Sequence, residues 1–189
     1  MPRARGLSLG LRDRILGRSP PALEAIFVAP RAGDPMQAVA SARAQDSGLA
    51  GDRYAEGAGH WLGPDACAVT LIRAEDVDRI QRRSGLSLSS GEHRRNLVVR
   101  GLRMRQPVGS RLRIGDAVLV VVAPRPPCGY LERLTQRGMA RALGRRSGFC
   151  LRVVQAGDMR TGDPVHWVEG PEANGSMEAP PASNAPQTP

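Results

Sequence analysis

The chain is 189 residues long, enough for one domain with a sizeable core and short for two. Its 27 basic residues are all arginine and outnumber 18 acids, for a formal charge of +9, yet aromatics at 3% leave no cluster of rings to stack on nucleic-acid bases. The absence of lysine excludes a pyridoxal-phosphate Schiff base and a P-loop ending in Gly-Lys-Ser/Thr.

Residues 1–19 read as a flexible basic extension, although Leu7, Leu9, Leu11, Ile15 and Leu16 would also suit a short amphipathic helix or transit peptide. Strands are predicted at Leu23–Ala29, closed by Pro30, and at Ala68–Ile72. Ala74–Arg83 follows as a helix, with Glu75 and Asp76 at its start and Arg82 and Arg83 at its end, the charge order a helix dipole favours. Asn96–Val99 is a further strand. Arg111–Ile114 and Ala117–Ala123 flank Gly115-Asp116, a hairpin signal. Short helices are predicted at Gly129–Arg137 and Met139–Arg145, and strands at Leu151–Val154 and Val165–Val168. Gly170–Pro189 has almost nothing to bury and reads as a disordered tail. Seven or eight strands with turn residues between them predict one β-rich α/β domain over residues 20–169, a mixed sheet or closed barrel with a few short helices. No apolar run approaches the ~20 residues of a membrane span, so neither membrane nor nucleic acid is expected as a partner, and a cytoplasmic setting is.

Three cysteines, Cys67, Cys128 and Cys150, are odd in number and widely spaced. That argues against a disulfide framework and a CxxC zinc site, and for a reducing compartment. Cys67 and Cys150 abut strands and read as small strand-end residues. Cys128 differs. It follows a strand end and three prolines within four positions, Pro124, Pro126 and Pro127, and a helical pattern begins directly after it. A cysteine at a helix start with Arg125 nearby is placed to be a thiolate, able to attack, carry sulfur or bind a soft metal. The bland alternative is a structural cysteine under a loop.

Arg94-Arg95-Asn96 stands at a strand entrance, where guanidinium forks and an amide could grip an anion or could simply be solvated. An arginine-only composition also suits a GC-rich coding sequence, so scattered surface charge competes with an anion pocket. Gly51-Asp52-Arg53-Tyr54 is first of all a turn. No spacing among His60, His93 and His166 resembles a metal site, and His60 reads as a surface loop residue.

Taken in order, these motifs resemble one family. They are Gly48-Leu49-x-Gly51-Asp52-Arg53-Tyr54, Val69-Thr70-Leu71-Ile72-x-x-Glu75, Arg94-Arg95-Asn96-Leu97-Val98, Gly101, Gly109-x-x-Leu112-x-Ile114-Gly115, Pro127-Cys128, and Met159-Arg160-Thr161-Gly162-Asp163-Pro164-Val165. Their order and spacing resemble the stand-alone bacterial MOSC domain, the type found at the C-terminus of molybdenum cofactor sulfurase. The resemblance implies a β-barrel with a few peripheral helices. It implies a molybdopterin-type molybdenum cofactor, with Cys128 as catalytic residue and molybdenum ligand, and Arg94, Asn96 and Arg125 as cofactor-binding residues. Relatives reduce N-hydroxylated compounds, so a small molybdoenzyme acting on N-oxygenated small molecules is the leading expectation. It would need an electron-donor protein. The alternatives are a sulfur carrier that forms a Cys128 persulfide and receives sulfur from a donor protein, and a non-catalytic anion-binding module.

Overall fold

Successive strand residues point to opposite faces, and in this protein both faces are buried. In Leu97–Arg100, Leu97 and Val99 join one apolar cluster and Val98 joins another. The same split separates Leu71 from Ile72 in Val69–Arg73, and Ile26 from Phe27 in Ala22–Val28. These strands therefore read in sequence as unbroken apolar runs. The structure, a computed structural model, describes residues 19–60, 67–103 and 108–168. The sequence expectations for residues 1–18 and for the tail 170–189 lie outside the described residues.

The strands, in chain order, are β1 (Ala22–Val28), β2 (Gln37–Val39), β3 (Ser41–Gln45), β4 (Gly48–Leu49), β5 (Val69–Arg73), β6 (Leu97–Arg100), β7 (Arg111–Ile114), β8 (Ala117–Pro124), β9 (Phe149–Gln155), β10 (Gly157–Arg160) and β11 (Val165–Val168). The helices are α1 (Ala74–Ser84), α2 (Gly129–Leu134) and α3 (Met139–Leu143), with a 3-10 turn at Gly144–Arg146. Eight strands form one sheet in the order β11-β7-β8-β9-β5-β6-β1-β2, and β10-β3-β4 form a second. Only β5 and β6 run parallel, and α1 is the crossover between them. The larger cluster lies on one side of the sheet. On the other, α1, α2 and α3 cover Phe27, Ile72 and Val98 with Val77, Ile80, Leu131, Met139 and Leu143.

The β-rich fold with few short helices is the one expected; the barrel needs qualification. No ladder joins the two ends of the large sheet among the described residues. A single bridge links Ala22 of β1, the strand next to the β2 edge, to Pro164 just before β11, flanked by bonds from Val165 N–H to Pro21 O at 2.8 Å and from Leu23 N–H to Asp163 O at 2.9 Å. The hairpin at Gly115-Asp116 forms as read, with Ile114 opposite Ala117 and Gly115 at φ 55. The second helix stops at Leu134, short of Arg137, because Thr135 leaves helical space (φ −124, ψ −95). The third stops at Leu143 and tightens into the 3-10 turn. β2, β3, β4 and β10 escaped the sequence reading. They are short, and the exposed positions of β3 and β10 carry Ser, Arg and Asp.

The cysteine reading requires correction. Cys67 and Cys150 form a disulfide, with Cα atoms 5.3 Å apart and a separation of 83 positions in sequence. The antiparallel pairing of β5 with β9 brings the two segments together, and Cys67, two residues ahead of β5, lies outside that ladder and against Cys150. Cys128 is the free thiol. No helix among the described residues is long and apolar enough to cross a membrane.

Closing so long a loop should contribute about 2–4 kcal/mol of stability. The double variant Cys67→Ala/Cys150→Ala should therefore unfold at lower denaturant with an unchanged fold by circular dichroism. Thiol titration of the unreduced native protein should return one group per chain, and three after reduction and unfolding. Three thiols before reduction would show that the bridge does not form.

Candidate functional site

Three segments converge on one cleft, a solvent-open space of about 450 Å³. The first is the turn after β4, Gly51–His60. Its direction is set by Asp52, whose fully buried carboxylate accepts from Ala29 N–H at 3.1 Å, Asn96 Nδ2 at 3.1 Å, Arg53 Nη1 at 3.0 Å and Tyr54 N–H at 3.2 Å. A carboxylate out of water is tolerable only when so paired. The result turns Arg53 and Tyr54 toward the cleft. Each was legible in the Gly-Asp-Arg-Tyr motif as a turn residue and not as a site residue.

The second segment leads into β6. Here Arg94, Arg95 and Asn96 take three different roles. Arg94 lines the cleft at φ 56, the one non-glycine residue in left-handed space among the described residues, and its Nη1 donates to Asp34 O at 2.7 Å. Such a backbone costs roughly 1–3 kcal/mol and concentrates at functional sites. Arg95 also lines the cleft, though buried; its Nε donates to Ser147 O at 2.6 Å and its Nη2 to Ser147 Oγ. Asn96 does not reach the cleft. Its amide is consumed by Phe27 O, Asp52, Thr70 N–H and Thr70 Oγ1, so it pins the site from behind. The sequence assigned Arg94 and Asn96 to cofactor binding; the structure brings Arg94 and Arg95 to the cleft and turns Asn96 inward. Arg95 was missed because sequence cannot say which of two adjacent arginines faces a cavity.

The third segment is Arg125–Leu131. Backbone N–H of Arg125 donates to Gly148 O at 2.8 Å, which fixes the proline-rich turn to the start of β9. Gly148 itself packs so closely on β5 that a Cβ would lie 2.1 Å from Leu71 O. Cys128 caps α2 with extended backbone (φ −132, ψ 162) and is half-buried on the cleft wall. Tyr130 follows, its ring stacked on His60 at 3.7 Å and 9°. His60, read from sequence as a loop residue, is exposed and part of the cleft rim.

Arg53, Arg94, Arg95 and Arg125 thus share a cleft that no acidic side chain lines among the described residues. Burial first, then the charge of Arg125, pushes the Arg95 guanidinium down to about 9, while the nearby Cys128 opposes that fall. Burial and Arg53 lower Arg94 likewise. Neither has a carboxylate bonded to it; carbonyl and hydroxyl oxygens hold both. Charge desolvated without a counter-ion favours the arrival of an anion. No group of three or more His, Cys, Asp or Glu suited to a metal occurs among the described residues.

A family model for the MOSC domain matches residues 58–166, which include Arg94, Arg95, Arg125 and Cys128. The chain belongs to the MOSC domain family. The MOSC fold extends beyond that match. The crystal structure of the YuaD protein from Bacillus subtilis has a TM-score of 0.63 at 16% identity, covering 78% of this chain and 94% of that one. YiiM from Geobacillus stearothermophilus has a TM-score of 0.59 at 21% identity, covering 79% and 76%. YiiM from Escherichia coli has 0.55 at 21%, covering 80% and 69%. No curated protein matches this MOSC chain in sequence.

Arg94→Gly separates the cost of the site from its use. Glycine relieves the left-handed strain and removes a buried charge, so the variant should be at least as stable in urea as the wild type. Inorganic phosphate should raise the thermal midpoint of the wild type and leave that of Arg94→Gly nearly unchanged. Equal phosphate stabilisation of both would remove Arg94 from the anion site.

His93 supplies a pH test. It is buried against Phe27 with ring centroids 5.5 Å apart, and its Nδ1 accepts Arg95 N–H at 2.9 Å, which requires an unprotonated Nδ1. Burial, then Arg95, pushes His93 down to about 3 from 6.5. The unfolded chain therefore binds the extra proton between those values. Stability is fully present above pH 6.5 and falls as pH drops toward 3, by at most about 1.4 kcal/mol per unit. Urea unfolding at pH 7.5 and pH 5 should differ by about 2 kcal/mol from this residue. His93→Asn, whose Oδ1 can still accept from Arg95, should shrink that difference; an unchanged difference would show that His93 is not its source.

Proposed function

We propose that the cleft holds a molybdopterin-type molybdenum cofactor and that the protein reduces small N-oxygenated molecules. One observation carries the reading. Two buried guanidiniums, Arg94 and Arg95, lack a carboxylate and face the same cleft as the free thiol of Cys128. That donor set fits a ligand with an anionic phosphate and a soft metal. MOSC domains are associated with the molybdenum cofactor, and the set of residues suits that group.

In this reading Arg53, Arg94 and Arg125 hold the phosphate, and the Cys128 sulfur ligates molybdenum. The bound metal supplies two-electron redox chemistry. Arg95 adds a further guanidinium to the cleft that Cys128 lines. Asp52 fixes the direction of Arg53, and Asp34 O that of Arg94. The stacked His60 and Tyr130 wall one side and exclude water there. The overall reaction is R–NHOH + 2e⁻ + 2H⁺ → R–NH₂ + H₂O. Its protons enter from solvent at the open side, and its electrons come from a reduced electron-transfer protein. We assign the reaction to the cytoplasm, whose reduced carriers supply those electrons; there the Cys67–Cys150 bridge is subject to thiol–disulfide exchange.

A second reading uses the same thiol. Cys128 is only half-buried, within reach of a protein that delivers sulfur to form a persulfide. Protein purified from a host that makes molybdenum cofactor decides between them. We expect about one molybdenum per chain by metal analysis, a fluorescent pterin on oxidation, and loss of both in Cys128→Ser and Arg94→Ala. Arg94→Lys should restore retention only in part, since the guanidinium fork is gone. Cyanide-labile sulfur on Cys128 without molybdenum would replace the first reading with the second. Neither signal would leave an anion-binding module.

A further inference from the structure

The proposed reaction consumes electrons, and no thiol of this chain remains to hold an iron–sulfur cluster: two cysteines are bridged and the third lines the cleft. Next to that cleft lies a strongly cationic surface. From Gly129 to Arg146 the chain carries five arginines, Arg133, Arg137, Arg141, Arg145 and Arg146, against a single acid, Glu132. All five are exposed. Glu132 is turned to an internal task, its Oε2 accepting Ala140 N–H at 3.2 Å and so tying α2 to α3. Arg146 lies 3.5 Å from Asp76, a carboxylate already bonded to Arg73 at 2.7 Å.

Arg133, Arg137, Arg141 and Arg145 have no carboxylate partner among the described residues. They recur at every fourth residue along α2, α3 and the turn that follows. Some surface arginines do meet acids, Arg100 between Glu24 and Asp78 and Arg43 against Asp158; what sets this segment apart is the run of four in thirteen residues beside the cleft. The ridge also touches the site. The Arg133 guanidinium lies 5.6 Å from the Tyr130 ring centre, and Tyr130 is a cleft residue two positions after Cys128.

We propose that this arginine ridge is the docking surface for an acidic electron-transfer protein. The inference rests on the reductase reading above. Unbalanced charge of one sign accelerates the encounter with a partner of the opposite sign, and guanidinium forks match carboxylates in two-point contacts. Nucleic acid fits less well: the ring on this surface, Tyr130, is stacked on His60 and overlain by Arg133, so no face is offered to a base. Each docked one-electron carrier gives up one electron and leaves oxidised. Two dockings supply the pair that N–O cleavage consumes.

The test titrates an oxidised acidic [2Fe–2S] ferredoxin against the full chain by calorimetry at about 50 and about 300 mM NaCl. We expect binding at low salt that weakens at least ~10-fold at the higher salt. Arg133→Glu/Arg137→Glu/Arg141→Glu should abolish it. Arg43→Glu/Arg152→Glu/Arg160→Glu changes the net charge equally on β3, β9 and β10, and should keep affinity within about threefold. Circular dichroism confirms that both triple variants fold. Loss of binding in both, or in neither, overturns the ridge. So does binding of duplex DNA or phosphatidylserine vesicles that is tighter than that of ferredoxin and is removed by the ridge variant. Molybdenum content of the same samples keeps the two readings apart. Ferredoxin binding without metal sinks the cofactor reading alone, and metal without ferredoxin binding sinks the ridge alone.

Discussion

Asp52 is the interaction on which the cleft depends. A fully buried carboxylate must find donors, and this one takes them from the end of β1, from its own turn and from Asn96. Asn96 in turn binds Thr70 of β5 through both its amide oxygen and its backbone N–H, which donates to the Thr70 hydroxyl at 3.0 Å. One charge thereby joins β1, β5 and the entrance of β6 into a fixed frame. With Asn96 held inward, the two residues before it are carried out over the cleft. Arg94 meets that demand by adopting left-handed backbone, and Arg95 by bonding to Ser147. Strain and buried charge at these two positions are consequences of a polar anchor one residue further on.

The arginines divide by how their charge is met. Those on β3 and β6 pair with carboxylates in water, where such pairs contribute little to stability. Arg94 and Arg95 in the cleft are dry and are held by carbonyl and hydroxyl oxygens, which orient a guanidinium without neutralising it. An even scatter produced by coding bias would not sort charge this way. The basic composition is therefore compatible with a composition bias and a built anion site together, since the fold selects a few of many arginines for burial.

How much of this was legible in sequence depended on what each feature requires. Strands buried on both faces, such as Val69–Arg73 and Leu97–Arg100, are continuous apolar runs and were readable. The Gly115-Asp116 hairpin and the charge order of α1 are local chemistry, and so is the proline-locked approach to Cys128. β3 and β10 were not readable, because each is only four or five residues long and pairs with the other across more than a hundred residues. The Cys67–Cys150 bridge depends on the β5–β9 register, which no spacing encodes. Asn96 was read as a cofactor-binding residue and Arg95 was not. Their roles diverge only because Asp52, forty-four positions away, claims one of them.

The bridge between Ala22 and Pro164 has a consequence for synthesis. β1 leaves the ribosome early and can pair locally with β2, yet its other neighbours wait for β6 and for the segment before β11. Until Val165 arrives to reach Pro21, the large sheet stands open at both ends. Non-local pairing of this kind is slow, because the intervening chain must be ordered before the contacts that repay it form. During that interval Leu23, Ile26 and Val28 present an apolar edge that other nascent chains could extend. A fold that ties β1 to the segment before β11 cannot be complete until residue 165 has left the ribosome.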